Sequence, residues 1–435
     1  MKIAVVVQRY GLEINGGAEL HARYVAEHLA RHADVEVLTT CAHDYVAWRN
    51  DLPAGLTHLN GVPVRRFPVA KERVVEQFAR ASARVYGEMH SVAEELAWID
   101  SEGPTSTALI QHISRHKADY DYFIFFSFRY YQSFHGIRAV PAQSLLVPTA
   151  EREGAVGLSV FAPVFRAARA LMYNSFEERA MIQAVSGNHD VPHVVVGIGS
   201  DVPGVTRPDR FRQHHGIHTP FIVYVGRIDE NKGCKELFAY FQHYSASVGG
   251  DLTLVLMGNS LLPIPDHPRI RHLGFVSDED KFDGIAASEA LVMPSYFESL
   301  SMVALEAWAL GRPVLANGRC DVLAGQCLRS NAGLYYTNYR EFRETLQLVA
   351  SDRALAQALG DNGRTYYRRH YDWPVIERKY MDMLTRLQQA DRAGEARRPL
   401  EPLPGWMARR NVNCRPANAV VAELPAGPAV AQGRG

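Results

Sequence analysis

Residues 1–40 read MKIAVVVQRYGLEINGGAELHARYVAEHLARHADVEVLTT, and the order of their patterns decides the class of fold. Ile3–Val7 is an unbroken apolar run rich in valine, the composition of a strand buried on both faces. A glycine-containing loop leads into Ala18–Arg31, where Leu20, Tyr24, Val25, His28 and Leu29 recur at helical spacing. Val35–Thr39 is the next strand. Strand, helix and strand in this order make a βαβ unit, which requires a parallel sheet with right-handed crossovers.

The same alternation continues outward. Tyr122–Phe126, Ser144–Val147, Ala170–Asn174 and His193–Val196 are expected strands, and Lys71–Trp98 reads as one long helical segment. Asp201–Thr219, punctuated by prolines and glycines, scans as a linker, with a hinge expected near Gly197–Thr206. A second series follows, with strands expected at Phe221–Val225, Leu252–Met257, Arg271–Leu273, Ala290–Met293 and Pro313–Ala316, and helices at Cys234–Ser247 and Ser301–Leu310. The expected architecture is therefore α/β, with two Rossmann-like doubly wound domains facing a cleft: residues 1–196 and residues 197–372. A helix within Tyr371–Gln389 carries Trp373, Ile376, Tyr380, Met383 and Leu384 on one face, so its span 373–389 is expected to cross back onto the first domain. Beyond Ala390 the composition shifts to Pro, Gly, Ala and Arg without periodicity, and residues 390–435 read as a disordered tail in which Trp406 and Cys414 have no assigned role.

Composition bounds the function. The chain has 435 residues, 47% hydrophobic and 22% charged, ordinary values for globular domains with full cores. Lys plus Arg number 47 and Asp plus Glu also 47, so no global basic field recruits nucleic acid. Five cysteines without a CxxC pair indicate neither a zinc site nor a disulfide framework. The first residues lack a signal-peptide pattern and no 18-residue apolar stretch occurs, so a cytoplasmic location is expected, with membrane contact peripheral at most.

Three stretches carry chemistry. In Pro294–Glu306, PSYFESLSMVALE, two glutamates flank the start of a helix. Unpaired backbone N–H groups at such a start favour an anionic ligand such as a diphosphate. Glu298 in the loop can reach hydroxyls of a sugar, and Glu306 can accept from paired hydroxyls such as those of a ribose. Taken alone, the stretch also fits an N-capped surface helix with Ser299 or Ser301 as cap. Gly226–Gly233, GRIDENKG, places Arg227 and Lys232 on a glycine-flanked loop after a strand, where both cations can converge on one diphosphate. A solvated turn with two surface charges is the alternative. Gly16 and Gly17, between the first strand and first helix, let the backbone approach a ligand closely. This is not a GxGxxG fingerprint, and no metal-binding Asp-x-Asp pair stands at a suitable strand end.

Together the Gly16–Glu19 loop, Gly226–Gly233 and Pro294–Ala316 resemble glycosyltransferase family 4, the retaining nucleotide-sugar transferases of GT-B fold, over residues 1–389. Leu256-Met-Gly-Asn, Leu273-Gly-Phe-Val-Ser and the late Tyr371-Asp-Trp helix fit as well. The resemblance implies a nucleoside-diphosphate sugar (UDP or GDP) as donor and a saccharide or lipid-linked saccharide as acceptor, in polysaccharide or glycoconjugate synthesis. It implies neither cofactor nor metal. By the family pattern Arg227 and Lys232 neutralise the diphosphate, and Glu298 holds the donor sugar. Ser299, Leu300, Ser301 and Met302 supply the helix start to sugar and phosphate, and Glu306 binds the ribose. Gly226, Gly258, Gly274, Phe275 and Val276 line the nucleotide, and Gly16 and Gly17 close over the phosphates.

Two positions depart from the pattern: Ser299 stands where relatives commonly carry glycine, a mild change because serine also suits a helix start, and the second matters more. Relatives carry His-Asp in a context like PTAHDE, whereas this chain reads Pro148-Thr-Ala-Glu151-Arg-Glu153. Glu151 is expected in the cleft facing Glu298 and the Arg227/Lys232 pair, as a fourth catalytic group. At its ordinary pKa it is ionised at neutral pH and does not mimic a neutral imidazole. A surface ion pair with Arg152 is the alternative. An epimerase-like enzyme and a catalytically silent nucleotide-sugar-binding subunit remain the competing functions. Of the rest, Arg129, Tyr130 and Tyr131 after the Tyr122–Phe126 strand are candidate acceptor contacts. His28 and His32 read as packed or solvated, Phe123, Phe125 and Phe126 as core, and Arg65-Arg66 as a solvated face.

Overall fold

The computed structural model describes residues 1–14, 16–395 and 400–405, and the backbone of 409–410. Asn15, Trp406 and Cys414 lie outside the described residues. The first sheet is built from β1 (Lys2–Val6), β2 (Asp34–Thr40), β3 (Gly55–Leu59), β4 (Val62–Phe67), β6 (Tyr122–Phe126), β7 (Ser144–Val147), β8 (Ala170–Tyr173) and β9 (His193–Val195); β5 (His90–Ser91) stands apart from it. Its order is β3-β4-β2-β1-β6-β7-β8-β9, parallel except where β3 folds back on β4 as a hairpin. The helices in this half are α1 (Gly17–Leu29), α2 (Val75–Gly87), α3 (Val92–Glu102), α4 (Thr107–Arg115), α5 (Tyr131–Ala139), α6 (Phe161–Ala167) and α7 (Phe176–Ser186).

The second half opens with α8 (Pro208–His215), inside the stretch expected to be linker. Its helix forms because Phe211 has a core to enter and Gly216 closes its end in the left-handed region. The second sheet runs β12-β11-β10-β13-β14-β15, all parallel: β10 (Phe221–Val225), β11 (Thr253–Met257), β12 (Ile270–His272), β13 (Ala290–Met293), β14 (Val314–Asn317) and β15 (Gly333–Tyr336). Around it lie α9 (Cys234–Val248), α10 (Asp278–Ala287), α11 (Met302–Ala309), α12 (Asp321–Ser330), α13 (Tyr339–Ser351) and α14 (Arg353–His370).

The central strands have no solvent-facing side, as their uninterrupted apolar runs require: Ile3 to Val6 and Phe123 to Phe126 are fully buried. The long helix α15 (Trp373–Arg392) packs against α1 and β9 of the first half, with Trp373, Ile376, Tyr380, Met383 and Leu384 in the core. No described helix is long and apolar enough to cross a membrane.

Three expectations need correction, and some strands had no sequence signal. The single helix over Lys71–Trp98 is two helices, because His90 turns inward to bond Glu95 and Ser91 starts α3 with a reciprocal cap to Glu94. Arg65-Arg66 is not a solvated face: Arg66 is buried and donates to the Tyr10 carbonyl, while Arg65 pairs with Glu36. The hairpin β3–β4 and the edge strand β15 carry too little apolar periodicity to be read from the chain. Finally, the expected tail begins with structure. Helix α15 runs on to Arg392, tied by Asp391 to Tyr122 and Arg169, and Glu401 takes a two-pronged ion pair from Arg166. Leu403 packs on the first core and β16 (Arg409–Arg410) pairs with β5.

Candidate active site

Both sheets change direction at their first strand. In the first, β1 lies between β2 and β6; in the second, β10 lies between β11 and β13. An open α/β sheet leaves a crevice beyond the carboxyl ends of strands at such a point. The stretches singled out in the sequence all emerge there: Gly16–Gly17 after β1, Glu151 after β7, Gly226–Gly233 after β10 and Pro294–Ser301 after β13.

The Gly226–Gly233 loop is held by close backbone approach. A Cβ on Gly233, which has φ +69°, would collide with the carbonyl of Pro294, so this glycine lets the two loops meet. Asp229 organises the interior of the loop, accepting from the Lys232 N–H at 2.8 Å and from the Arg227 guanidinium. Lys232 then reaches across, and its Nζ lies 2.7 Å from Glu298 Oε1. Burial opposes the charge on Lys232, but Glu298 and Glu151 outweigh it and raise its pKa above the ordinary lysine range.

Glu151 meets this pair from the other half of the molecule. Burial pushes its pKa up from 4.5 to about 7; Lys232 pulls down, Glu298 and Glu153 push up, and Arg129 pulls down. Among the charges acting most strongly on Glu151 the cations are Lys232 and Arg129; Arg227 is turned to Asp229 and half exposed. Arg152, the alternative partner, instead bonds Asp321 of α12 at 2.6 Å. Glu151 thus holds its proton to higher pH than a free glutamate. Burial outweighs the attraction of Lys232 and opposes the ionisation ordinary for a glutamate at neutral pH.

Glu306 lies inside α11, buried. Its Oε1 accepts from Ser200 Oγ at 2.8 Å and from Lys281 Nζ at 3.1 Å, while Oε2 is buried without a protein partner. Lys281 also pairs with Asp278 at 3.2 Å. Ser301 caps α11, with its hydroxyl accepting from the Ala304 N–H. It does so at φ +74°, a conformation an L residue holds only when its surroundings enforce it. Leu300 is pinned by a bond from Gln326 to its carbonyl, while Ser299 and Met302 are half-buried. On the far side Gly258 sits against Gly226 at φ +137°, its N–H on the Gly274 carbonyl at 2.7 Å. Phe275 next to it is 66% exposed, an aromatic face open at a strand end with Val276 half-buried behind it.

The expected acceptor contacts are taken up by partners within the first domain. Arg129 is held by Glu102 at 2.8 Å and by Glu153, and Tyr130 and Tyr131 are buried, Tyr130 in a small cluster with Trp48, Ala42 and Val69. Gly17 is exposed at the start of α1, and behind it Arg9 and Glu19 form a buried ion pair. His28 stacks on Trp373 and bonds Glu377 and Asp201, and His32 also bonds Glu377. Sequence reasoning missed Lys281 and Ser200: a lysine in a helix and a serine in a linker carry no local signal, and only the packing of α10 and α11 sets them beside Glu306. Among the described residues one group, His214, His215 and Asp280, is spaced for a metal ion, but Arg210 already bonds Asp280 there at 2.8 Å.

Residues 219–352, which contain Arg227, Lys232, Glu298 and Glu306, match the family model described as Glycosyl transferases group 1. The fold is similar to that of sucrose-phosphate synthase from Thermosynechococcus elongatus, with TM-score 0.66 and 18% identity over 89% of this chain and 99% of the other. It is likewise similar to Anabaena HepE in complex with UDP-glucose, with TM-score 0.65 and 16% identity over 89% of this chain and 100% of that one. WaaG, a glycosyltransferase involved in lipopolysaccharide biosynthesis, superposes with TM-score 0.55 and 16% identity over 88% and 99% of the two chains. Residues 219–352, which span the second sheet, thus carry the glycosyl transferases group 1 segment, within a fold of two facing parallel-sheet halves of GT-B architecture.

Proposed function

We propose that this enzyme transfers a hexose-type sugar from a nucleoside-diphosphate donor to a hydroxyl of a saccharide or lipid-linked saccharide, with retention of anomeric configuration and without a metal ion. The observation that carries the reading is the Lys232–Glu298 pair beside the start of α11, met by Glu151 from the opposite domain. As the bond from the anomeric carbon to the diphosphate breaks, negative charge grows on the phosphate oxygen. Lys232, Arg227 and the N–H groups at the α11 start offset that charge, the task a metal performs elsewhere. Glu298 orients the donor sugar through its hydroxyls. The free Oε2 of Glu306 accepts from the ribose, and Phe275 offers a face to the base. UDP is the favoured nucleotide, since HepE is described in complex with UDP-glucose. In its acid form Glu151 donates a hydrogen bond to a sugar oxygen, which a permanently ionised carboxylate does not. The acceptor reaches the cleft from the first domain, in the cytoplasm or at the inner face of the membrane, in polysaccharide or glycoconjugate synthesis.

Incubation with a panel of UDP- and GDP-sugars, with and without saccharide acceptors, tests this reading. Nucleotide release that depends on acceptor supports it. Sugar isomerisation without acceptor identifies an epimerase, and binding without turnover identifies a silent subunit; either result refutes it.

A further inference from the structure

We propose that Glu178 is a positioning residue for Glu151, holding the loop that presents Glu151 to the cleft through a carboxyl shared between two strand ends. This deepens the proposed function and rests on the role given there to Glu151. Ser175-x-x-Glu178 has the sequence of a reciprocal helix cap, and Ser175 plays its half, accepting from the Glu178 N–H at 3.1 Å. The Glu178 side chain does not simply close that cap. One oxygen takes the Asn174 N–H at 2.5 Å, and the other crosses to the neighbouring strand end and takes the Ala150 N–H at 2.6 Å. Ala150 is the residue before Glu151, and Thr149 before it sits at φ +48°, fastened by its hydroxyl to Ser127 at 2.7 Å. A backbone bent into that region needs external support, and Glu178 supplies it one residue from the group in the cleft.

Glu178 is 1% exposed, a carboxyl in the core with no cation among its bonding partners. Burial pushes its pKa up to about 8, against the pull of the Asn174, Ala150 and Ser175 N–H groups, and the charge of Glu151 pushes it further. A core position occupied only for packing would hold an apolar side chain at lower cost. The groups facing Glu151 are therefore Lys232 and Glu298 from the second domain, and Glu153, Arg129 and Glu178 from the first. Glu178, with the higher pKa, keeps its proton while Glu151 titrates, so it acts on Glu151 through the backbone it holds and not through charge.

The test uses the full-length enzyme, with UDP release from UDP-glucose, or from whichever nucleotide sugar of the panel is turned over, as readout. Glu178→Gln keeps shape and volume but sets an NH2 against one of two N–H donors. The expected result is a drop in kcat of at least tenfold with UDP affinity within twofold of the parent. The pH–rate limb that Glu151→Gln abolishes should keep its place, since the charge around Glu151 is unchanged. Glu178→Asp keeps the acid but falls one methylene short of Ala150, and should lower kcat in the same way. Wild-type kcat in a folded Glu178→Gln protein overturns the proposal, as does wild-type kcat for Glu178→Asp. Failure of both variants to fold would assign Glu178 to the core alone and overturn it too. Wild-type turnover of Glu151→Gln would instead defeat the underlying role of Glu151, which keeps the two failures distinct.

Discussion

Replacing Glu151 by glutamine should make the protein more stable above neutral pH and less active. In the folded protein the Glu151 pKa is raised from 4.5 to about 7. The folded state therefore binds the proton more tightly than the unfolded chain, so stability falls as pH rises from about 4.5 through about 7. At about 1.4 kcal/mol per pH unit the full interval amounts to about 3 kcal/mol, an upper bound because Glu151 keeps some contact with solvent. Glutamine has no proton to lose and escapes this penalty. The variant should thus gain up to about 3 kcal/mol at pH 8 and less than about 1 kcal/mol at pH 5, where the folded parent is already protonated. Urea unfolding of both proteins at the two pH values measures the difference, and UDP release from a turned-over donor should drop strongly in the same variant. Equal stability gains at pH 5 and pH 8, or a loss at pH 8, would refute the claim that Glu151 is buried against Glu298. A gain with undiminished turnover would leave the placement intact and refute the catalytic role.

Lys232→Ala removes the cation 2.7 Å from Glu298 and should lower kcat/KM by about 100- to 1000-fold, the scale for loss of one donor to a developing negative charge. Glu306→Ala should weaken binding of UDP in calorimetry, whereas Glu298→Ala should reduce turnover while leaving UDP affinity nearly unchanged. Gly233→Ala drives a methyl into the Pro294 carbonyl at a positive φ, and should lower the melting temperature by an amount equivalent to about 2 kcal/mol or more while disordering the Lys232 loop. EDTA should leave the transfer rate unchanged, and a rate restored only by added divalent cation would refute metal independence.

The sequence alone determined the features that depend on local chemistry. A buried parallel strand must be apolar throughout, so β1, β6, β7, β10 and β13 stand out as runs, four of them with the boundaries the structure has: Tyr122–Phe126, Ser144–Val147, Phe221–Val225 and Ala290–Met293. Ligand loops at strand ends carry glycines and charges that a core does not tolerate, which made Gly226–Gly233 and Pro294–Glu306 legible. Tertiary structure decided what depends on neighbours far along the chain. Ser200 and Lys281 reach Glu306 only because the linker and α10 fold against α11. Arg129, Tyr130 and Tyr131 look in sequence like an open loop, but Glu102 and Glu153 arrive from other elements to close it. The protonation of Glu151 belongs to the same class. A carboxyl group has one intrinsic pKa in any sequence, and only the burial and the charges assembled around it by two domains move that value toward neutrality.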